Sequence, residues 1–193
     1  MLETFCLFLV AACCMLIAWS QTRGDDLFDL ETGAVIISMT SEYESWPALA
    51  LLDNNPHTGW ASHRGHVVPN TIVIELPYLF DLDSIVFDNT WAQEVDYPGI
   101  SAREVEVWIS RSGPEVGFEQ IITVEATQGG REQFPLLGGS RARWIKLIVT
   151  SNWGSEEFTE IMELEAYGSV VGSRVVPTSV AGTYLAKLWP PVS

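Results

Sequence analysis

Short runs of apolar and β-branched residues, separated by turn residues, account for most of the chain after residue 33. The clearest run, at 103–110, alternates regularly and puts Val105, Val107 and Ile109 on one face of an extended strand. Further runs of this character lie at 34–39, 71–76, 84–87, 120–124, 143–149 and 161–167. Many short strands joined by turns predict an all-β fold, an antiparallel β-sandwich of the jelly-roll type.

Turn residues fall between these runs, at 54–56, 97–99, 112–114, 129–130 and 138–139. Glycine, proline and asparagine are frequent in turns because they tolerate or enforce the backbone angles that turns require. No long amphipathic helix is predicted. One helical turn is expected at 45–52, with Ser45 as its N-cap and Pro47 near its first position.

The amino-terminal segment differs from the rest, since residues 5–19 are almost entirely apolar. This run is short for a membrane span, and the Ala-Trp-Ser sequence at 18–20 has the small-x-small pattern that signal peptidases cleave. We therefore predict a signal peptide at 1–20, which implies a secreted, periplasmic or cell-surface protein. The alternatives are an uncleaved anchor and lipidation at Cys13, and membrane attachment is expected only through one of them.

Composition also changes at both ends of the predicted sandwich. Residues 21–33 are polar and are predicted to form a linker before a single domain at 34–168. Residues 169–193 contain Arg174 and Lys187 but no acid, and several prolines. They are predicted to form a linker or tail, with the truncated start of a second module as the alternative.

Cysteine and charge narrow the classes of function. All 3 cysteines lie in the predicted leader, so we expect neither disulfides nor thiolate ligands in the sandwich. The chain has 25 Asp and Glu against 10 Lys and Arg, a formal net charge of −15. Nucleic acid and anionic lipid surfaces are therefore not expected as partners, because basic patches bind their phosphates.

The segment 48–62, with the sequence ALALLDNNPHTGWAS, concentrates oxygen donors in a tight turn. Asp53 offers a carboxylate, Thr58 a hydroxyl, and the backbone near Ala50 and Asn55 further carbonyl oxygens. Calcium takes about six to eight oxygen ligands of these kinds, so the segment is a candidate calcium loop. An Asx-rich turn ahead of a buried tryptophan is the alternative.

This segment resembles the calcium loop of factor V/VIII C-type (discoidin) domains, through the pattern A-x-x-D-x-[ND]-x-x-T-x-W-x-S. Other segments resemble the family's strands in the family's order: TIVIEL at 71–76, VEVWISRS at 105–112, ARWIKLIVT at 142–150 and IMELEAYG at 161–168. The resemblance covers about residues 34–168. It implies the galactose-binding-like β-sandwich fold, which bacterial carbohydrate-binding modules of this kind share.

The resemblance also implies a structural calcium ion that ties the first loop to the last strand. The ligands it implies are Ala50, Asp53, Asn55, Thr58, Met162 and Glu163. Asp53, Thr58 and Glu163 would contribute side chains, and the others backbone carbonyls. The alternative is that Glu163 is a solvated strand residue like its neighbours Glu160 and Glu165.

Ligand recognition is expected in loops at one end of the sandwich. Arginine, histidine and exposed aromatics suit sugars, because planar donors bind pairs of hydroxyls and aromatic faces pack on the apolar side of the ring. The candidates are His63, Arg64, His66, Trp91, Tyr97 and Trp153. A zinc site at the histidines is less favoured, because their spacing fits no standard motif. Trp46, Trp60 and Trp144 are expected to pack inside the domain.

The sequence has no nucleophile elbow, phosphate-binding glycine loop or His-Glu-x-x-His motif. We therefore predict a non-catalytic module that binds carbohydrate or cell-surface glycan. The alternative is a protein-interaction or structural domain of an envelope protein without a sugar pocket, in which Trp91 would be buried. A small hydrolase is the third hypothesis, and it would need two acids about 5–10 Å apart in one pocket.

Overall fold

The computed structural model describes residues 25–171, which form a nearly all-β domain. The strands are β1 (Val35–Met39), β2 (Trp60–Ala61), β3 (Asn70–Asp88), β4 (Glu104–Ser110), β5 (Glu119–Glu125), β6 (Arg131–Val149), β7 (Glu160–Ile161) and β8 (Glu163–Val170). Short 3₁₀ turns lie at Leu30–Thr32 and Ala48–Leu52. Within residues 25–171, no helix has the length and apolar character needed to cross a membrane.

Two long strands, β3 and β6, serve both halves of the sandwich. They pair antiparallel along most of their length, with a break in register between Glu75 and Phe80. Before the break β3 also pairs with β1, and after it β3 pairs with β8. The break includes Pro77, which has no N–H to donate to a ladder.

The remaining strands complete an antiparallel architecture. The strand order is β1-β3-β6-β4-β5, with β8 on the second half of β3, and β2 pairs with β7 in a separate ladder. Val105 and Val107 are fully buried and Ile109 is nearly so, as their alternation predicts. The all-β, antiparallel sandwich expected from the sequence is confirmed.

Strand boundaries differ from the predicted ones in the two long strands. The runs predicted at 71–76 and 84–87 are parts of β3, and the run at 143–149 is the second half of β6. The Gly-Gly pair at 138–139, predicted as a turn, lies inside β6. Because a kinked strand interrupts its own apolar alternation, the sequence pattern divides it into shorter strands.

The predicted helical turn is shorter than expected, and Ser45 is not its N-cap. The 3₁₀ turn begins at Ala48, and Pro47 at the N-cap makes no side-chain hydrogen bond. The carboxylate of Glu42 accepts the Ala48 N–H instead, at 3.0 Å. The Glu42 carboxylate, six residues before Ala48, therefore caps this turn in place of the Ser45 hydroxyl that the sequence pattern predicted.

The segment predicted as a linker at 21–33 packs against the sandwich from residue 25 onward. Phe28 is fully buried, and the Leu27 N–H donates to the Ala166 carbonyl at 2.8 Å. The Asp26 carboxylate accepts the Ala166 N–H, also at 2.8 Å. At the other end, β8 continues to Val170, beyond the predicted domain end at 168. The predicted signal peptide at 1–20 and residues 172–193 lie outside the described residues.

Candidate functional site

The candidate calcium loop folds so that its oxygen donors converge. The Thr58 hydroxyl lies 2.8 Å from Asp53 Oδ2 and 2.9 Å from the Asn55 carbonyl oxygen. Asn54 has a positive φ of 58°, a left-handed conformation that asparagine tolerates better than most residues. This left-handed residue lies in the turn that brings Asp53 and Thr58 together.

Glu163, at the start of β8, meets this loop. Its side chain is buried, and its Oε2 accepts the Asn55 N–H at 2.9 Å. Gly59 packs on the residues just before this strand, since a Cβ there would lie 2.6 Å from the carbonyl oxygen of Ile161, in β7, and 3.0 Å from that of Met162. The loop and the last strand are thus in direct contact, with the Met162 carbonyl beside them.

The charges at this junction are not balanced by protein cations. Burial, and then the nearby Asp53 carboxylate, together raise the pKa of Glu163 to about 9, although the N–H groups of Leu164 and Asn55 act to lower it. Among residues 25–171, neither of these carboxylates forms an ion pair with Lys or Arg. The buried carboxylate of Glu163 and the exposed carboxylate of Asp53, beside a hydroxyl and carbonyls, are a donor set that fits a hard divalent cation.

Two other observations show which kinds of ligand atom this loop could offer to an ion. Ala50 lies in the 3₁₀ turn that leads directly into Asp53. Within residues 25–171, no three His, Cys, Asp or Glu side chains are grouped as a metal site of those residues would require. An ion at this loop would therefore depend on backbone carbonyls and the Thr58 hydroxyl for most of its ligands.

A second cluster forms around Phe158, on the loop that enters β7. The Arg64 guanidinium lies 5.8 Å from the Phe158 ring centroid, and its Nε donates to Glu157 Oε2 at 2.8 Å. This hydrogen bond, and then the charge of Glu157, raise the pKa of Arg64. The Tyr97 ring packs edge-on against Phe158, with centroids 5.2 Å apart. The structure thus brings together two of the predicted ligand-binding residues, Arg64 and Tyr97.

Beside this cluster lies a cavity of about 60 Å³, which we call the aromatic cavity. Its lining includes Tyr43, Trp46, Gln93, Tyr97, Phe158 and Glu160. Tyr43 packs edge-on against Phe158 with centroids 5.5 Å apart, so Phe158 stands between two tyrosines. A half-open pocket with aromatic walls and a few polar groups is typical of a small-ligand site.

Glu160 is the acid in this lining, and it is almost completely buried. Its Oε2 accepts the Gln93 N–H at 2.8 Å. The pKa of Glu160 is raised to about 7, chiefly by burial and in smaller part by nearby Glu94, while the Gln93 hydrogen bond acts to lower it. A single acid in the lining does not provide the pair of carboxylates that glycoside hydrolysis requires.

The predicted histidines lie on the loop after β2, and both side chains are exposed. His63 Nδ1 lies 3.1 Å from the Arg64 carbonyl oxygen, and His66 Nε2 lies 3.2 Å from that of Pro69. Each ring nitrogen therefore lies within hydrogen-bonding distance of a carbonyl of its own loop. The two rings have different partners, an arrangement that does not resemble a shared zinc site.

The predicted tryptophans have different surroundings. Trp91 is 56% exposed and contacts the His57 ring, with centroids 4.3 Å apart, so it lies beside the candidate calcium loop. Trp153 is half-buried, because its indole N–H donates to the Ala126 carbonyl at 3.1 Å and Arg103 lies over its ring. Neither residue lines the aromatic cavity.

Sequence reasoning did not identify Tyr43, Phe158 or Glu160. Tyr43 and Trp46 belong to a short loop whose main chain is hydrogen-bonded to Ala61. Glu160 pairs with that same residue across β2 and β7. These contacts join residues that are far apart in the sequence, and no local pattern of residues predicts them. The one sequence signal was the unusual density of aromatics near 43–46 and 97, without a helical or strand period to explain it.

Comparisons with known proteins agree with this architecture. Residues 62–170 match the family model described as Sad1/UNC-like C-terminal. A search of curated proteins finds no match.

Several solved structures share the fold. The C-terminal domain of a chitobiase from Bacteroides fragilis is 25% identical over 77% of this chain and 100% of that chain, with a TM-score of 0.63. CBM32-3, from a family 31 glycoside hydrolase of Clostridium perfringens, is 17% identical over 73% and 94%, with a TM-score of 0.61. A family 32 carbohydrate-binding module from C. perfringens, solved with galactose, is 18% identical over 69% and 98%, with a TM-score of 0.57.

The family model spans more than half of the chain, and the solved structures have the same β-sandwich. The expected discoidin-like, galactose-binding-like architecture is therefore confirmed. The chain belongs to the Sad1/UNC-like C-terminal family.

Proposed function

We propose that this chain is an exported, non-catalytic module that binds carbohydrate through the loops around the aromatic cavity. The observation that carries the proposal is the cluster of Arg64, Tyr97 and Phe158 beside that cavity. A guanidinium can donate to paired hydroxyls, and aromatic rings can pack on the apolar side of a sugar. The cluster therefore combines the two kinds of contact that a pyranose offers.

The solved structures with this fold support the same class of ligand. One is a family 32 module bound to galactose, and another is bound to GalNAc-β-1,3-galactose. Several come from carbohydrate-active enzymes, among them a family 31 glycoside hydrolase and a chitosanase/glucanase. Trp91 is exposed, whereas a domain whose loops close on themselves would bury it.

We further propose that calcium stabilises the module at the loop of Asp53, Asn55 and Thr58. Glu163 would supply the distal carboxylate, with the carbonyls of Ala50 and Met162 as the remaining predicted protein ligands. When bound, the ion would neutralise two carboxylates that the protein brings together without a Lys or Arg partner in residues 25–171. Its role would be structural, because the loop and β8 would be held by a common ion.

The function is tested by affinity electrophoresis of the purified chain through gels that contain galactose-rich, uronate-rich or glucan polysaccharides, with calcium present. Selective retardation by one polymer is expected. Tyr97→Ala should abolish it, because this change removes a wall of the aromatic cavity. Tyr78→Ala is the matched control, since Tyr78 is also half-buried but packs against Phe80 and does not line the cavity.

Two outcomes of this electrophoresis experiment would count against the proposal. A folded chain that no polysaccharide retards would contradict the carbohydrate proposal. It would favour the alternative of a protein-interaction domain. Retardation that Tyr97→Ala leaves intact would move the binding surface away from the aromatic cavity.

A further inference from the structure

The aromatic cavity contains a buried acid that the protein itself does not neutralise. The Glu160 side chain is 1% exposed and accepts one backbone N–H, from Gln93. Within residues 25–171 it forms no ion pair with Lys or Arg. A buried carboxylate without a counter-charge is costly, and it is relieved either by a proton or by a cationic group of a ligand in the cavity.

The charges around the cavity reinforce this interpretation. Arg64 lies at its edge, but Glu157 pairs with it and offsets its charge. Glu94, which follows the residue that donates to Glu160, is a second acid here and accepts the N–H groups of Gly99 and Ser101 at 2.7 and 3.0 Å. Negative charge therefore remains in excess on this side of the domain.

The aromatic walls suit a cation as well. The negative face of an aromatic ring attracts ammonium and guanidinium groups within about 6 Å of its centroid. The Phe158 ring already receives one such group, since Arg64 Cζ lies 5.8 Å from its centroid. Tyr43, Trp46 and Tyr97 add further rings to the same lining.

The size of the cavity limits what can enter it. Its volume is about 60 Å³. Cavities that hold a benzene ring have about 150 Å³, so a whole sugar ring does not fit inside. A substituent the size of an amino group does fit, while the ring that carries it would remain outside, against the exposed part of Tyr43.

We propose that the aromatic cavity receives the free ammonium group of an amino sugar, with Glu160 as its counter-charge and the aromatic rings as its walls. The inference rests on the proposed carbohydrate-binding function and names the substrate class of that site. An N-acetylated amine carries no charge and is larger, so the same cavity would discriminate against it.

The test compares three ligands on the purified full chain in calcium and 0.15 M salt, by calorimetry or by NMR titration. The ligands are a glucosamine oligomer, its fully N-acetylated counterpart and a galactose oligomer. At this ionic strength the Debye length is about 8 Å, so the diffuse negative charge of the chain contributes little. We expect the glucosamine oligomer to bind about tenfold more tightly than the acetylated one.

Three substitutions locate the effect. Glu160→Gln removes the charge but keeps an oxygen that can accept the Gln93 N–H, and it should reduce the preference for the free amine to within about twofold. Glu125→Gln changes the net charge equally at an exposed site on β5, and should leave the preference intact. Tyr43→Ala, at a partly exposed ring, should weaken binding without removing a buried side chain.

The outcomes separate the two proposals. If the galactose or acetylated oligomer binds at least as well as the free amine, this inference is overturned and the carbohydrate proposal stands. If the preference survives Glu160→Gln, the ammonium site is not the aromatic cavity, and the inference is again overturned. If no oligomer binds to the folded chain, both proposals fail.

Discussion

Glu163 and Asn55 are 108 residues apart, yet the Glu163 carboxylate accepts the Asn55 N–H at 2.9 Å. This bond joins the first loop of the domain to its last strand at a buried, unneutralised acid. We therefore predict that calcium raises the melting temperature relative to a chelated sample. A ligand that binds only the folded state, at about 100 times its Kd, should raise it by about 5–10 °C. Scanning calorimetry with calcium or with chelator measures this shift.

Variants of the loop make that prediction specific. Asp53→Asn and Glu163→Gln should each remove the calcium-dependent shift, because each removes a charged ligand. Glu125→Gln, at an exposed strand position, should retain it. An unchanged melting temperature in the unsubstituted chain at millimolar calcium would rule out the proposed ion.

The stability of the chelated domain should fall as pH rises from about 5 to 8. Burial raises the pKa of Glu160 to about 7, well above the value expected for an unfolded chain. Between these values the folded state binds more protons than the unfolded state, so each rise in pH favours unfolding. Asp26, with a pKa raised by burial to about 6, acts in the same direction.

Glu160→Gln isolates one part of this effect. The substitution should flatten the pH dependence by on the order of 3 kcal/mol, because its amide does not ionise. Urea unfolding at pH 5 and pH 8 gives the two free energies. A domain that grows more stable over this range, or a variant with the same slope as the parent, would be inconsistent with a buried Glu160 carboxyl.

The Arg143–Glu75 ion pair should be one of the more sensitive points of the core. Arg143 Nη2 lies 2.6 Å from Glu75 Oε1, and both side chains are about nine-tenths buried. Arg143→Met would leave a buried carboxylate unpaired, and should lower the free energy of unfolding by about 3–5 kcal/mol.

A second arginine of the same strand is the control. Arg141 pairs with Asp81 at a much more exposed position of β6. Arg141→Met should therefore lower the free energy of unfolding far less than Arg143→Met does, as urea unfolding would measure. Equal losses from the two substitutions would show that burial does not set the strength of the Arg143 pair.

Gly59 should not tolerate a side chain. A Cβ there would lie 2.6 Å from the Ile161 carbonyl oxygen and from Met162 Cα, which are backbone atoms of β7 and of the residue between β7 and β8. Gly59→Ala is expected to lower the melting temperature substantially and to weaken calcium binding, because the loop would move away from β8. Gly138→Ala, where an added Cβ would have no other atom within 4 Å, should have little effect. Similar melting temperatures for the two variants would argue against this close approach.

Local patterns in the sequence predict the sandwich well. Val105, Val107 and Ile109 alternate with polar residues and are buried as expected, because a strand with one face toward the core needs that period. Trp60 and Trp144 are buried as predicted, and Trp46 is half-buried. The breaks in β3 and β6 were not predicted, because Pro77 and the Gly-Gly pair at 138–139 interrupt the alternation.

The candidate site was only partly predictable. Arg64 and Tyr97 were identified by their chemistry, but their neighbour Phe158 was not, because a single phenylalanine has no local signal. Glu160 sits among other acids in the sequence, and only the pairing of β2 with β7 buries it. Long-range contacts of this kind decide which of several similar residues lines a cavity.

The most direct test of the central claim is an amide chemical-shift map of the isotope-labelled chain, recorded with calcium as an oligosaccharide is added. Carbohydrate binding at the aromatic cavity predicts shifts concentrated in 62–66, 93–97 and 157–160, and little change in β5 at the far edge of the sheet. Saturating ligand without shifts in these segments, or shifts confined to the sheet, would contradict the account.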